Sequence, residues 1–290
     1  MWSVKIGMRI RCVALGAAAC LLTSCRDGVL DPRGPIGESE LLILFDATVI
    51  MLAVVVPVIL LTIGFAWWFR AGNARARRLP NWEYSGRIEM IVWSIPTLVI
   101  AFLGGIAWIG THELDPPRSL ESATTPLDVE VVSLDWKWLF IYPTEGIASV
   151  NRLVVPAGTP VHFRLTSASV MNSFFVPQLG SQIYTMAGMT TQLNLMANQP
   201  GLYRGLSAQF SGDGFSDMRF EVAAIPSDQF AAWLLTAKTA GQVLDLAAYK
   251  DLARPSEAVP AMTFSRVASD LFETILADST SGGHASQMEP

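Results

Sequence analysis

The chain reads as a membrane α plus all-β protein: a two-helix transmembrane hairpin, a β-sandwich outside the cytoplasm, and a helical C-terminal extension. Three observations predict this. Ala47–Phe69 and Met90–Thr111 are runs of 23 and 22 residues without a charge. From Pro126 the pattern changes to short alternating segments parted by turn residues, the period of half-buried strands. Beyond Pro226, Phe230, Trp233 and Leu234 recur at helical spacing. The composition agrees: 51% hydrophobic and 16% charged residues are the balance of a chain that lies partly in lipid.

The first 24 residues form a signal peptide. Lys5, Arg9 and Arg11 make a basic start, Cys12–Leu22 an apolar run, and Leu22-Thr23-Ser24-Cys25 the end. The run is too short to span a bilayer as a mature helix. The ending resembles a bacterial lipoprotein signal. That resemblance implies cleavage before Cys25, diacylglycerol on its sulfur and palmitate among its acyl chains. All three cysteines, Cys12, Cys20 and Cys25, lie in the first 25 residues, so with Cys25 acylated the processed chain has no free thiol and no thiolate for a soft metal.

Residues 25–40 read as a periplasmic linker and 41–111 as the hairpin, with spans at about 47–69 and 88–111 and a cytoplasmic loop at 70–87. At about 1.5 Å per residue either run crosses a hydrocarbon core of about 30 Å. The loop carries Arg70, Arg75, Arg77, Arg78 and Arg87 against Glu83, which puts it in the cytoplasm. Both termini are then periplasmic, as a secreted N-terminus independently requires. Trp67, Trp68, Trp82 and Trp108 fall at the expected interfaces. Pro57 and Pro96 lie inside the spans, where neighbouring helices re-satisfy the freed carbonyls. Asp46 sits at the outer end of the first span and Glu89 one turn inside the cytoplasmic end of the second. On physical grounds alone Glu89 reads as a solvated flanking charge.

Residues 126–225 make the sandwich. Asp128–Ser133, Val150–Val155, Thr159–Thr166, Thr190–Met196 and Met218–Val222 are its strand candidates, parted by Pro143, Pro156-Ala157-Gly158, Pro177, Gly188 and Gln199-Pro200-Gly201. Trp136, Trp138, Phe140 and Tyr142 alternate as core and interface aromatics. Met171, Met186, Met189 and Met196 read as core filling rather than thioether ligands. His112, His162 and His284 are far apart and lack ligand spacing. No nucleotide loop, nucleophile–base pair, zinc motif or repeat is present, and no metal site is expected.

Residues 226–278 read as a helical extension, with Ser227 or Asp228 as N-cap of its first helix and further helices near Gln242–Leu252 and Ala268–Ala277. From Ser279 to the end the chain is small, polar and glycine-rich, as disordered tails are.

Ser133-Leu-Asp-Trp-Lys-Trp138, Val170-Met-Asn-Ser-Phe-Phe-Val-Pro177 and Gln199-Pro-Gly-Leu-Tyr203 resemble subunit II of the haem–copper oxidases, a cupredoxin-like Greek-key domain on a two-helix hairpin. The likeness runs from the lipobox to about residue 225. Copper-bearing members have a His at the position of Asn172, Cys at Leu206 and Phe210, a carbonyl-donating Glu at Ala208 and a second His at Gly214. Their Met ligand falls at Asp217, or at Met218 with one inserted residue. Here Ser211-Gly-Asp-Gly-Phe-Ser216 stands in the ligand loop. Tyr184 also occupies a position where cytochrome c-using relatives carry a docking acid.

The chain is therefore similar to the copper-less quinol branch, the subunit II of cytochrome bo-type ubiquinol oxidases. That resemblance implies a non-catalytic subunit of a proton-pumping oxidase in a bacterial inner membrane. No cofactor is expected in this chain. The haems and copper would belong to the large subunit I, its partner together with other oxidase subunits and lipid. Ubiquinol would be the substrate of the complex, with no cytochrome c and no nucleic acid as partner. The resemblance places Glu89 at the cytoplasmic mouth of a proton pathway into subunit I. Two rival readings are an electron-transfer subunit with its own copper, opposed by the missing cysteines, and a membrane-tethered cupredoxin-like binding lipoprotein, for which a single tether would serve.

Overall fold

The computed structural model describes residues 28–285 apart from Arg78, Pro80, Trp82 and Ala240. The signal peptide and Cys25 lie outside the described residues. The chain divides into two compact units, Ser39–Asp115 and the remainder.

Helix α1 spans Pro35–Trp68, in the first unit from Ser39 on, and α2 Gly86–Glu113 lies within that unit. Both are long and apolar enough to cross a membrane. They extend beyond the uncharged runs, and α1 begins 12 residues before Ala47 (47 minus 35). Pro35 has the fixed φ of a first helical turn and Glu38 faces its positive end, so the charges before Ala47 do not stop the helix. Several threonine hydroxyls in the spans are satisfied within the helices. Thr48, Thr62 and Thr97 donate to the carbonyls of Leu44, Val58 and Trp93 at 2.6–2.7 Å, so these three donors ask nothing of lipid. At the end of α1, Arg70 and Asn73 donate to the carbonyls of Trp67 and Trp68 at 3.0 and 2.6 Å. A Cβ on Gly110 would lie 2.8 Å from Ile43 Cδ1, so the two helices approach closely at that glycine.

The second unit is a sandwich of two sheets. Its strands are β1 Leu127–Leu134, β2 Lys137–Tyr142, β3 Ile147–Val150, β4 Arg152–Pro156, β5 Val161–Ser167, β6 Asn172–Phe175, β7 Ile183–Thr185, β8 Thr191–Leu195, β9 Gly201–Ser207, β10 Arg219–Ile225, β11 Gln242–Leu244 and β12 Met262–Val267. One sheet runs β11-β12-β3-β2-β1-β5-β8 and the other β4-β10-β9-β6-β7. The pairs β1–β5 and β4–β10 are parallel. The run Val150–Val155, expected as one strand, breaks at Asn151, whose φ of 55° turns the chain from one sheet to the other.

Strand β2 is buried on both faces. Trp138, Phe140 and Tyr142 enter the core between the sheets with Phe163, Phe174 and Phe220. Leu139 and Ile141 enter a second core under the C-terminal extension. Phe220 lies flat on Gly205, where a Cβ would come within 2.1 Å of the ring; β9 needs that glycine so the ring can seat.

The extension corrects the helical expectation. Its helices are α3 Ser227–Thr239, α4 Leu246–Leu252 and α5 Leu271–Ala285, but β11 and β12 intervene and join the edge of the larger sheet through β3. Helix α3 starts at Ser227, and the carbonyl of Pro226 accepts from Phe230 N at 2.9 Å. Neither Ser227 nor Asp228 is therefore the cap. Asp245 caps α4 instead, accepting from Ala248 N at 2.8 Å. Of the tail expected from Ser279, residues 279–285 continue α5 to Ala285, and residues 286–290 lie outside the described residues. Leu271, Phe272 and Ile275 anchor α5 in the second core, and Ser279 Oγ donates to the Ser167 carbonyl at 3.2 Å.

Candidate functional site

The positions that resemblance singles out gather where β6 begins and where β9 runs into loop 208–217. The register pairs Phe174 with Ser207 and Phe175 with Leu206, and Ala208 N donates to the Ser173 carbonyl at 3.0 Å. Asn172 is buried at 1% exposure. Its amide is already committed: Nδ2 donates to the Val170 carbonyl at 3.2 Å and Oδ1 accepts from Ser207 Oγ at 3.1 Å. Leu206 is half-buried and Ala208 exposed. Phe210 stands 72% exposed, in edge contact with Phe215 at 5.6 Å.

A side chain fills the loop. Gly212 has φ 106°, and residues Asp213–Asp217 form a 3-10 turn. Trp136 covers them: its Nε1 donates to the Ser211 carbonyl at 3.0 Å. A Cβ on the buried Gly214 would fall 2.5 Å from the indole and 2.7 Å from Glu257 Cγ. Met218 is buried in the core at 1% exposure, its sulfur 3.9 Å from Ser211 Oγ. An amide, an aliphatic chain, a methyl, an exposed phenyl and a filled glycine offer neither thiolate nor imidazole. The residues present do not fit a dinuclear copper group.

Other expected candidates are dispersed. Glu89 lies exposed in the first turn of α2, its amide bonded to the Ser85 carbonyl at 3.0 Å. His112 Nδ1 is 2.8 Å from the Trp108 carbonyl and His162 Nδ1 3.1 Å from Asp128 Oδ1. His284 lies on α5. Among the described residues no three His, Cys, Asp or Glu could hold a metal ion together. Met171 and Met189 are 39% and 54% exposed, so these two do not fill the core as the composition suggested. Tyr184 is exposed on β7.

Two features escaped the sequence. Lys137 is buried at 1% exposure, and burial pushes its ammonium below the usual lysine range while the nearby Asp135 pulls it back up. Arg164 joins Glu130 of β1 to Glu273 of α5 at 2.9 and 2.8 Å and stacks on Phe272. Burial raises the Glu130 carboxyl against the opposing pull of Arg164. The only signal for Lys137 is its place between two tryptophans in Trp136-Lys137-Trp138, inside a strand.

Residues 131–225 match the family described as cytochrome c oxidase subunit II, periplasmic domain, and residues 238–282 the COX aromatic rich motif. The chain is 50% identical over 260 residues to the cytochrome bo(3) ubiquinol oxidase subunit 2 of Pseudomonas aeruginosa, covering 90% of this chain and 78% of that one. It is 50% identical over 268 residues to the ubiquinol oxidase subunit 2 of Acetobacter aceti, covering 92% and 87%. The quinol oxidase subunit 2 of Bacillus cereus is 34% identical, with 82% and 81% covered. With two membrane-length helices, a cupredoxin-like sandwich whose ligand loop is closed by Trp136, and identity of this order along most of its length, the chain belongs to the ubiquinol oxidase subunit 2 family.

Proposed function

We propose that this chain is a non-catalytic subunit of a proton-translocating ubiquinol oxidase of a bacterial inner membrane. It carries no redox centre. The large subunit I holds the haems and copper, and electrons pass from ubiquinol to oxygen without cytochrome c. The observation that carries this is the occupied ligand loop: Gly214 lies against Trp136 where a copper ligand would need room. Tyr184, exposed in place of a docking acid, supports the absence of cytochrome c. Acyl chains on Cys25 add a lipid anchor to the two helices.

Glu89 supplies the proposed activity of the chain itself. It is a carboxylate in the first turn of α2, beside an arginine-rich loop on the cytoplasmic side. There it gathers protons and hands them to the large subunit. The test is ubiquinol-dependent oxygen consumption per haem in complexes carrying Glu89→Gln or Glu89→Asp. The amide keeps shape and hydrogen bonding but exchanges no proton, so Gln slows turnover and Asp retains more of it. Equal turnover of Gln and wild type would leave Glu89 a flanking charge.

A further inference from the structure

Lys137 poses a question of cost. Its side chain is buried, and among the described residues its ammonium has no carboxylate partner within ion-pair distance. It donates instead to two carbonyls, those of Asp135 at 3.1 Å and of Arg254 at 2.9 Å. Burying an ammonium is expensive, and an apolar chain of similar volume would fill the space at lower cost. What the lysine adds is a link to a carbonyl 117 residues away, in the segment 253–261 that joins α4 to β12.

The same segment is held at two more points. Asn151 Nδ2 donates to the Val259 carbonyl at 2.8 Å while its Oδ1 accepts from Trp138 N at 2.8 Å. Glu257 packs over Gly214, so that a Cβ there would meet its Cγ at 2.7 Å. Trp136 meets the same point and bonds to Ser211. Trp136, just before β2, and Glu257 of the extension thus both pack against Gly214 of loop 208–217. Lys137 and Asn151, which flank the paired strands β2 and β3, pin the extension in place.

We propose that the C-terminal extension is the brace of loop 208–217: through Lys137 and Asn151 it holds a loop that has no metal ligand left to cross-link it. Hydrogen exchange of the full chain in detergent, read peptide by peptide, tests this. Lys137→Met keeps the volume and removes the donor. Asn151→Gly keeps the positive φ and removes the amide. Each opens loop 208–217 by about tenfold in exchange, the equilibrium equivalent of one lost hydrogen bond to a charged or buried partner. Strands β5 and β8 hold their protection. Lys238→Met breaks the extension's exposed ion pair with Glu145 at 2.6 Å and leaves the loop unchanged. If 253–261 exchanges faster in both variants while 208–217 stays protected, the extension merely docks on the sheet and the proposal is overturned. Should Lys137→Met fail to fold, Asn151→Gly and Glu257→Ala distinguish the same two outcomes.

Discussion

Substituting Gly214→Ala tests whether the ligand loop is filled. The new Cβ would lie 2.5 Å from the Trp136 ring and 2.7 Å from Glu257 Cγ, against a comfortable carbon–carbon contact of about 3.5–4.0 Å. An overlap of about 1 Å must be relieved by moving something. Glu257 can swing its side chain. Trp136 is tied by its bond to Ser211, worth about 1 kcal/mol, and its backbone sits at φ 65°. Gly214 itself has no positive φ, so the cost is steric alone, and overpacking of this kind runs at about 1–3 kcal/mol. We expect about 2 kcal/mol, measured by urea unfolding of the full-length chain in mild detergent. Trp136→Ala keeps the residue-136 backbone and vacates the space. In that background Gly214→Ala should lose most of its cost, a coupling of about 1–2 kcal/mol. A corollary concerns copper. Combining Asn172→His, Leu206→Cys, Ala208→Glu, Phe210→Cys and Gly214→His should yield no thiolate-to-copper absorption unless Trp136 is also trimmed. A Gly214→Ala substitution that is neutral within about 0.5 kcal/mol, or that costs the same with and without the indole, would mean that the indole does not fill the loop.

Tyr142→Phe should destabilise the sandwich by about 1–3 kcal/mol, because the buried hydroxyl donates to the Val154 carbonyl and accepts from Val154 N, both at 2.9 Å; a neutral outcome in the same unfolding assay would contradict it. Cys25→Ala should abolish lipidation and leave the chain in the membrane fraction, since two spans anchor more firmly than acyl chains; a soluble periplasmic product would refute the two spans. Lys137 has its pKa lowered by burial. Below the folded value both states hold the proton and the burial cost is fully present. As pH rises from the lowered folded value towards the ordinary lysine value, the folded state sheds its proton first, so unfolding free energy rises across that window. Lys137→Met should lack this rise, and an identical pH profile in both proteins would contradict it.

The membrane and sandwich layers were legible because their signals are one-dimensional. An uncharged run has to match a bilayer thickness, and β1, β5, β8 and β10 alternate or run apolar within a few residues of the expected bounds. Strand β2 was visible only as an aromatic stripe: buried on both faces, it has no polar period to announce it. Strands β11 and β12 were hidden because three and six residues joining a sheet edge leave almost no pattern. At the ligand loop, sequence exposed what is missing, namely thiolate and imidazole. It did not expose what stands there, because the approach of Trp136 to Gly214 and of Glu257 to that same glycine depends on contacts 78 and 43 residues apart (214 minus 136, 257 minus 214).

Whether this subunit serves quinol oxidation without passing electrons itself is decided by purifying the oxidase through a tag on this chain and measuring oxygen consumption with ubiquinol and with reduced cytochrome c as alternative donors. A haem-bearing complex that turns over with ubiquinol and not with cytochrome c is expected. Turnover with cytochrome c, or a tagged chain that brings no haem with it, would contradict that role.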